Sequence, residues 1–190
     1  MRTSFQKFIA TATTIFLALA GLVFTGSPAQ AAIVLNANGV TLSFNENSQT
    51  VTSISGSGTG KTAGDVIKYA GVATISSTVV DCVIETVSTT GATISNYDGG
   101  SAISSAPAMF QSDVNTSGAG SVVYKYSFFV GGTYTAVNTG TPVILQNVYV
   151  NSYDLDYVSG NQFSEFKGFQ TYNVSTNTTL ACVVLDVRNC

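Results

Sequence analysis

Val66 to Thr89 reads VIKYAGVATISSTVVDCVIETVST, and its alternation decides the fold class. In a strand, successive side chains point to opposite faces. That period puts Val80, Cys82 and Ile84 on one side and Val79, Asp81, Val83 and Glu85 on the other. It likewise separates Val66, Lys68 and Ala70 from Ile67, Tyr69 and Gly71. β-branched and aromatic residues predominate, as a pleated, half-buried surface favours. Two strands are expected here.

The same pattern extends in both directions. Toward the C-terminus, SVVYKYSFFVGG alternates Val122, Tyr124, Tyr126 and Phe128 with Val123, Lys125, Ser127 and Phe129. A strand is expected from Pro142 onward in PVILQNVYV, and TTLACVVLDVRNC supplies the last one. Toward the N-terminus, AIVLNANGVTLSFNEN places Asn38-Gly39 between two apolar runs, a hairpin signal. TVTSIS alternates briefly before the glycine-rich SGSGTGKTAGD. Residues 91–121 read as a long irregular connection, broken by Gly99-Gly100, Pro107 and Gly118-Ala119-Gly120. Helical periodicity is confined to FSEFKGFQTY, where apolar residues three apart suggest a single helical turn. Strands at intervals of about ten residues, separated by turn signals, predict an all-β antiparallel sandwich, jelly-roll-like. No repeat period is evident, which disfavours a solenoid.

The first thirty-one residues stand apart from this pattern. Arg2 and Lys7 precede an apolar core, and Ser27-Pro28-Ala29-Gln30-Ala31 supplies the small residues of a cleavage site. Residues 1–31 are expected to be a secretory signal peptide, and residues 32–190 a single β-sandwich domain in a secreted or cell-surface protein. No later stretch is long and apolar enough to span a bilayer, so membrane insertion of the mature chain is not expected. All ten Asp and Glu lie beyond Ala31, while two of the seven basic residues fall before it, giving the mature chain a net charge of −5. Lys61, Lys68, Lys125, Lys167 and Arg188 form no basic stripe, which argues against nucleic-acid partners.

The three cysteines are Cys82, Cys182 and Cys190. In an oxidising compartment two are expected to pair. Cys82 and Cys182 each sit within an apolar run, as a bridge between strands requires. Cys190 ends the chain just after a strand, which reads as a piece of a longer protein. Three Asn-X-Ser/Thr sequons, at Asn115, Asn173 and Asn177, read as coincidences of a Thr- and Asn-rich chain.

The inventory for catalysis is thin. There is no His, which removes the usual base of a nucleophilic triad and the commonest metal ligand. Gly60-Lys61-Thr62 imitates the end of a phosphate-binding loop. However, Ser55 stands where that motif needs its first glycine, and the chain runs into a strand rather than a helix. A surface loop is the better reading. The stretch between Pro142 and Val174 holds three of the ten acidic residues. Asp154 and Asp156 are two apart on an acidic turn, with Asn151, Asn161 and Glu165 nearby. Hard oxygens in that number suit Ca²⁺, although the spacing matches no EF-hand. Paired carboxylates would also serve glycoside hydrolysis, but the chain lacks the Trp platforms common in such clefts. Tyr153 and Tyr157 flank the turn and suit stacking on sugar rings. The other tyrosines read mainly as core or sheet-face residues.

The succession VIKYAGVATISSTVVDCVIETVSTTGATI, VVYKYSFF, TPVILQNVYVNSYDLD and EFKGFQTY resembles secreted bacterial surface domains. The non-repetitive, lectin-like region of CshA-type adhesins is the example. The resemblance runs from about Asp65 onward and implies a β-sandwich that mediates attachment without catalysis. The chain departs from that pattern in its three cysteines and in showing no wall-anchor motif. The expected function is therefore adhesion, binding a glycan or surface protein through Tyr153, Asp154, Asp156, Tyr157, Asn161 and Glu165. A pilin-like structural subunit assembling through strand edges and a polysaccharide hydrolase are the alternatives.

Overall fold

The computed structural model describes residues 30–44, 50–99, 109–148 and 164–168. The chain divides into two compact units, Met1–Asn147 and Val148–Cys190. All strands described lie in the first: β1 (Ile33–Asn36), β2 (Val51–Ser55), β3 (Val66–Ile75), β4 (Thr78–Asn96), β5 (Asp113–Val130) and β6 (Pro142–Gln146). The protein is all-β, with no helix among the described residues. In the second unit, residues 164–168 are not helical, so the turn expected around Phe166 is not formed there.

The six strands make one sheet in the order β1-β6-β5-β4-β3-β2. Strands β2 to β5 form the antiparallel meander expected from the alternation. The β3–β4 hairpin turns on Ser76 and Ser77, with φ of +48° and +71°. Two positive values in succession belong to a type I′ turn, whose twist matches the flanking strands. Residues opposite one another in an antiparallel pair share a face. The pairs Ile67↔Ile84 and Tyr69↔Cys82 thus confirm the faces read from the sequence. Val80, Cys82 and Ile84 are fully buried. Removing side chains of this size from water contributes about 1.5–3 kcal/mol each for the aliphatic ones.

The opposite face has its own core. Val66, Val83 and Tyr134 pack together, with Ile54 and Phe129 against them. Tyr134 comes from the β5–β6 connection and lies 4.4 Å from the Phe129 ring, centroid to centroid. Asp81 also points to this face, yet is 2% exposed. Its carboxylate accepts the amide of Gly71 at 2.9 Å, at the β3 bulge, and that of Gly132 at 2.8 Å. A buried carboxylate is tolerable because both oxygens are satisfied.

Three expectations need correction. First, the sheet is mixed, because β1 pairs parallel to β6 in the register Ile33↔Val143 to Asn36↔Gln146. Second, Asn38-Gly39 does form a tight turn, closed by Val40 N–H donating to Ala37 O at 3.0 Å, but no hairpin follows. The chain beyond it runs to β3, where Ser43 N–H donates to Val72 O at 2.9 Å, and Phe44 packs against Tyr69 at 5.6 Å. Burial of that ring outweighs local pairing. Third, much of the stretch read as irregular is strand, since β4 continues to Asn96 and β5 starts at Asp113. The glycines permit this. A Cβ on Gly91 would meet Ala119 O at 2.6 Å, and one on Gly120 would collide with Gly91 O. The strands approach there at a distance only glycine allows, and three register shifts curl the pair.

Candidate functional site

Aromatic side chains from four separate segments converge on one face of the sheet. Tyr69 comes from β3, and Tyr124 and Tyr126 from β5. Tyr97 and Phe110 stand at the two ends of the β4–β5 connection, and Phe44 arrives from the segment after β1. Phe110 is the hub. Its ring centroid lies 5.1 Å from Tyr97, 5.4 Å from Tyr124, 5.9 Å from Tyr126 and 6.4 Å from both Tyr69 and Phe44. Every one of these pairs is edge-to-face, the arrangement that sets the positive ring edge against the negative face.

Local chemistry fixes the ends of the connection. Gly99 N–H donates to Gln111 O at 2.7 Å. Asp98, 7% exposed, accepts Gln111 N–H at 3.1 Å and the Tyr69 hydroxyl at 2.8 Å. Ser112 and Tyr124 share a short hydroxyl–hydroxyl hydrogen bond. Burial pushes the Tyr97 hydroxyl well above the usual phenol range, and the neighbouring Tyr124 adds to it. Burial also raises Tyr124, against a smaller pull from Ser112. Both are neutral hydroxyls at ordinary pH.

The cluster grades from core to surface. Tyr69 is 1% exposed, while Tyr126 at the other extreme is 44% exposed. Phe110 and Tyr124 lie between, half-buried. The outcome is a packed platform whose outermost member, Tyr126, is partly exposed even though burial raises its hydroxyl above the usual phenol range, with a hydroxyl pair beside it, able to stack on an apolar sugar face or bind an amide-rich peptide. None of these rings is singled out by the sequence, because alternation along a strand reads as a sheet face rather than a platform. The signal available was the aromatic at each end of one connection, Tyr97 and Phe110.

The glycine-rich loop before β3 is built around Asp65, which is 1% exposed. Its carboxylate accepts the Ser57 amide, the Ser57 hydroxyl at 2.7 Å, the Thr62 amide at 3.0 Å and the Thr59 hydroxyl at 3.3 Å. Burial pushes this carboxyl up, but the donors together outweigh it and hold it below the usual carboxylate value. The loop does cradle an anion, and that anion is its own. No helix follows Gly60-Lys61-Thr62, so the phosphate-binding reading fails. Nor is the loop free. Thr86 Oγ1 donates to Gly60 O at 2.6 Å, Lys61 Nζ donates to Ser95 O at 2.7 Å, and a Cβ on Gly60 would strike the Tyr97 ring at 2.5 Å. A shallow cleft of about 540 Å³ lies elsewhere, floored by Gly71, Gly131 and Gly132 beside Asp81, whose carboxylate is already bonded to two of those glycine amides.

Of the residues expected to form a site from the sequence, Tyr153, Asp154, Asp156, Tyr157 and Asn161 lie outside the described residues. Glu165 is described and makes an exposed ion pair with Lys167 at 3.1 Å. Among the described residues no three His, Cys, Asp or Glu side chains gather as a metal site would need. Cys82 stands as a free, fully buried thiol, and its expected disulfide partner Cys182 lies outside the described residues. A comparison with protein-family models, curated proteins and solved structures finds no match to the chain.

Proposed function

We propose that this chain is an exported, non-catalytic adhesion module that binds a glycan or a surface protein through the Tyr126–Tyr124–Phe110 platform. The observation that carries the reading is the graded aromatic cluster. A packed core holds Tyr126 in place while leaving the residue 44% exposed, and the paired Ser112 and Tyr124 hydroxyls lie alongside. A rigid sheet that displays recognition groups beside a connecting segment is the usual division of labour in binding domains. Asp65, Asp81 and Asp98 each accept protein donors, so these three buried carboxylates serve the architecture rather than acid–base chemistry. The N-terminal signal-like segment supports export, and the resemblance to lectin-like adhesin regions supports attachment. In this reading the sheet is one layer of a β-sandwich, and the Asp154–Glu165 segment adds a second, calcium-assisted contact.

The test is binding of the purified chain to a glycan and matrix-protein array, in Ca²⁺ and again in EDTA, with Tyr126→Ala in parallel. The expected result is binding to a restricted set of ligands that Tyr126→Ala weakens about tenfold, or about 1.4 kcal/mol. Absence of binding in both buffers, or binding indifferent to Tyr126→Ala, overturns the reading.

A further inference from the structure

The two edges of the sheet belong to strands adjacent in sequence, β1 and β2. Between them the chain crosses the whole width of the sheet. Strand β1 therefore lies at an edge far from its neighbours in sequence. Its partner β6 begins more than a hundred residues later. Strand β1 buries little: Ile33 is 40% and Val34 53% exposed, and Ile144 opposite Val34 is 53% exposed. Its attachment is mainly the backbone ladder, extended by Ala37 N–H donating to Gln146 O at 2.8 Å and Asn147 Nδ2 donating to Asn36 Oδ1 at 2.9 Å. Strand β6 in turn joins the sheet through just two residue pairs, Phe128↔Val143 and Phe129↔Pro142.

From this arrangement we infer that β1 is an exchangeable strand: the β6 edge of one molecule accepts residues 33–36 of a second copy. The identity of the occupant follows from the β1–β6 register. The β6 edge already receives this tetrapeptide over four consecutive pairs, so the same segment from another copy makes the same ladder. Exchange of an identical element between protomers conserves nearly every contact of the closed form. What changes is the hinge. Asn38-Gly39 is an exposed turn in which Gly39 has φ +73° and nothing within 4 Å of an added Cβ. Opening it releases β1, while Ser43 and Phe44 remain anchored to β3 and the aromatic cluster. Strand β1, four residues long, is uncharged and contains no proline, so two of the devices that keep an edge from pairing with a neighbour are absent from it. Successive exchange links copies through β1 and β6, independently of any ligand on the aromatic platform.

The test uses the touching pair Asn36 and Asn147. Asn36→Cys with Asn147→Cys is introduced on a Cys182→Ser, Cys190→Ser background; the chain carries its own N-terminal segment and is purified as processed. It is then oxidised across a range of protein concentrations. In the closed molecule the bond forms within one chain, and in the exchanged form it joins two. The expected result is an interchain product on non-reducing gels whose share rises with concentration, as mass action requires. Gly39→Pro cannot adopt the turn's positive φ and should raise that share several-fold. Intrachain bonds alone at every concentration, with and without Gly39→Pro, overturn the inference. So does the failure of the doubly substituted chain to form any bond between positions 36 and 147, since the β1–β6 pairing would then be wrong.

Discussion

Ser57 donates its side-chain hydroxyl to Asp65 Oδ2 at 2.7 Å and its backbone amide to the other oxygen of the same carboxylate. One short residue thus ties the glycine-rich loop to the first residue before β3. The relation turns a stretch that looks mobile in sequence into a fixed cover for the end of the sheet. It leads to the first two predictions.

Asp65→Ala removes the buried acceptor of two amides and two hydroxyls whose own residues, Ser57, Thr59 and Thr62, are exposed. The expected loss is about 2–3 kcal/mol, because hydrogen bonds to a charged group are worth more than neutral ones. Urea denaturation checks it: the midpoint should fall with the slope unchanged. A midpoint equal to that of the unsubstituted chain would show that the loop is held by other contacts.

The same carboxyl sets a pH dependence. Its folded value lies below the ordinary one, because the donors outweigh the upward push of burial. The stabilisation is therefore fully present above the unfolded value of about 3.9 and is lost as pH falls through the folded value. Melting temperature measured from neutral to acidic pH should show the advantage of the native chain over Asp65→Asn constant above about pH 5 and shrinking below about pH 4. An advantage that grows on acidification would contradict the assignment.

Gly91 and Gly118 make a matched comparison. Gly91 has φ +59° and no room for a Cβ beside Ala119 O, whereas an added Cβ at Gly118 meets nothing within 4 Å. Gly91→Ala is expected to destabilise by about 1–3 kcal/mol, from strain and from parting the strands. Gly118→Ala should stay within about 0.5 kcal/mol, as ordinary surface changes do. Thermal unfolding of both variants decides whether close approach holds β4 and β5 together.

Ser76 and Ser77 occupy positions that favour Asn and Gly. Replacing the pair by Asn-Gly should raise stability by about 0.5–1 kcal/mol, since the native turn would carry less strain. A neutral or negative change in unfolding free energy would mean that the serines make contacts worth as much as the strain they bear.

Cys82 is fully buried and opposite Tyr69 on one side and Phe128 on the other. Burial pushes its thiol far up, and hydrogen bonding from Ser127 opposes this weakly. A thiolate is the reactive form, so alkylation in the native state should proceed only at the rate of unfolding. Mass spectrometry after timed labelling reads this directly, and fast modification of Cys82 in the folded chain would refute the burial.

The sequence by itself determined the class and the faces. Alternation is a local property with period two, and it separated Cys82 and Ile84 from Glu85, and Lys68 from Tyr69, within each strand, while burial and strand register decided which face is core. The high content of β-branched and aromatic residues and the absence of helical periodicity sufficed for an all-β reading. Tertiary structure decided whatever depended on which distant groups meet. The Asn38-Gly39 turn formed as its residues dictate, but the segment after it packs Phe44 against Tyr69 instead of returning as a local hairpin. Gly120 read as part of a break and proved to be where, with Gly91, two long strands approach at a distance only glycine allows. The rings around Phe110 come from segments far apart in sequence. Their convergence is set by loop closure and packing, which no local pattern encodes.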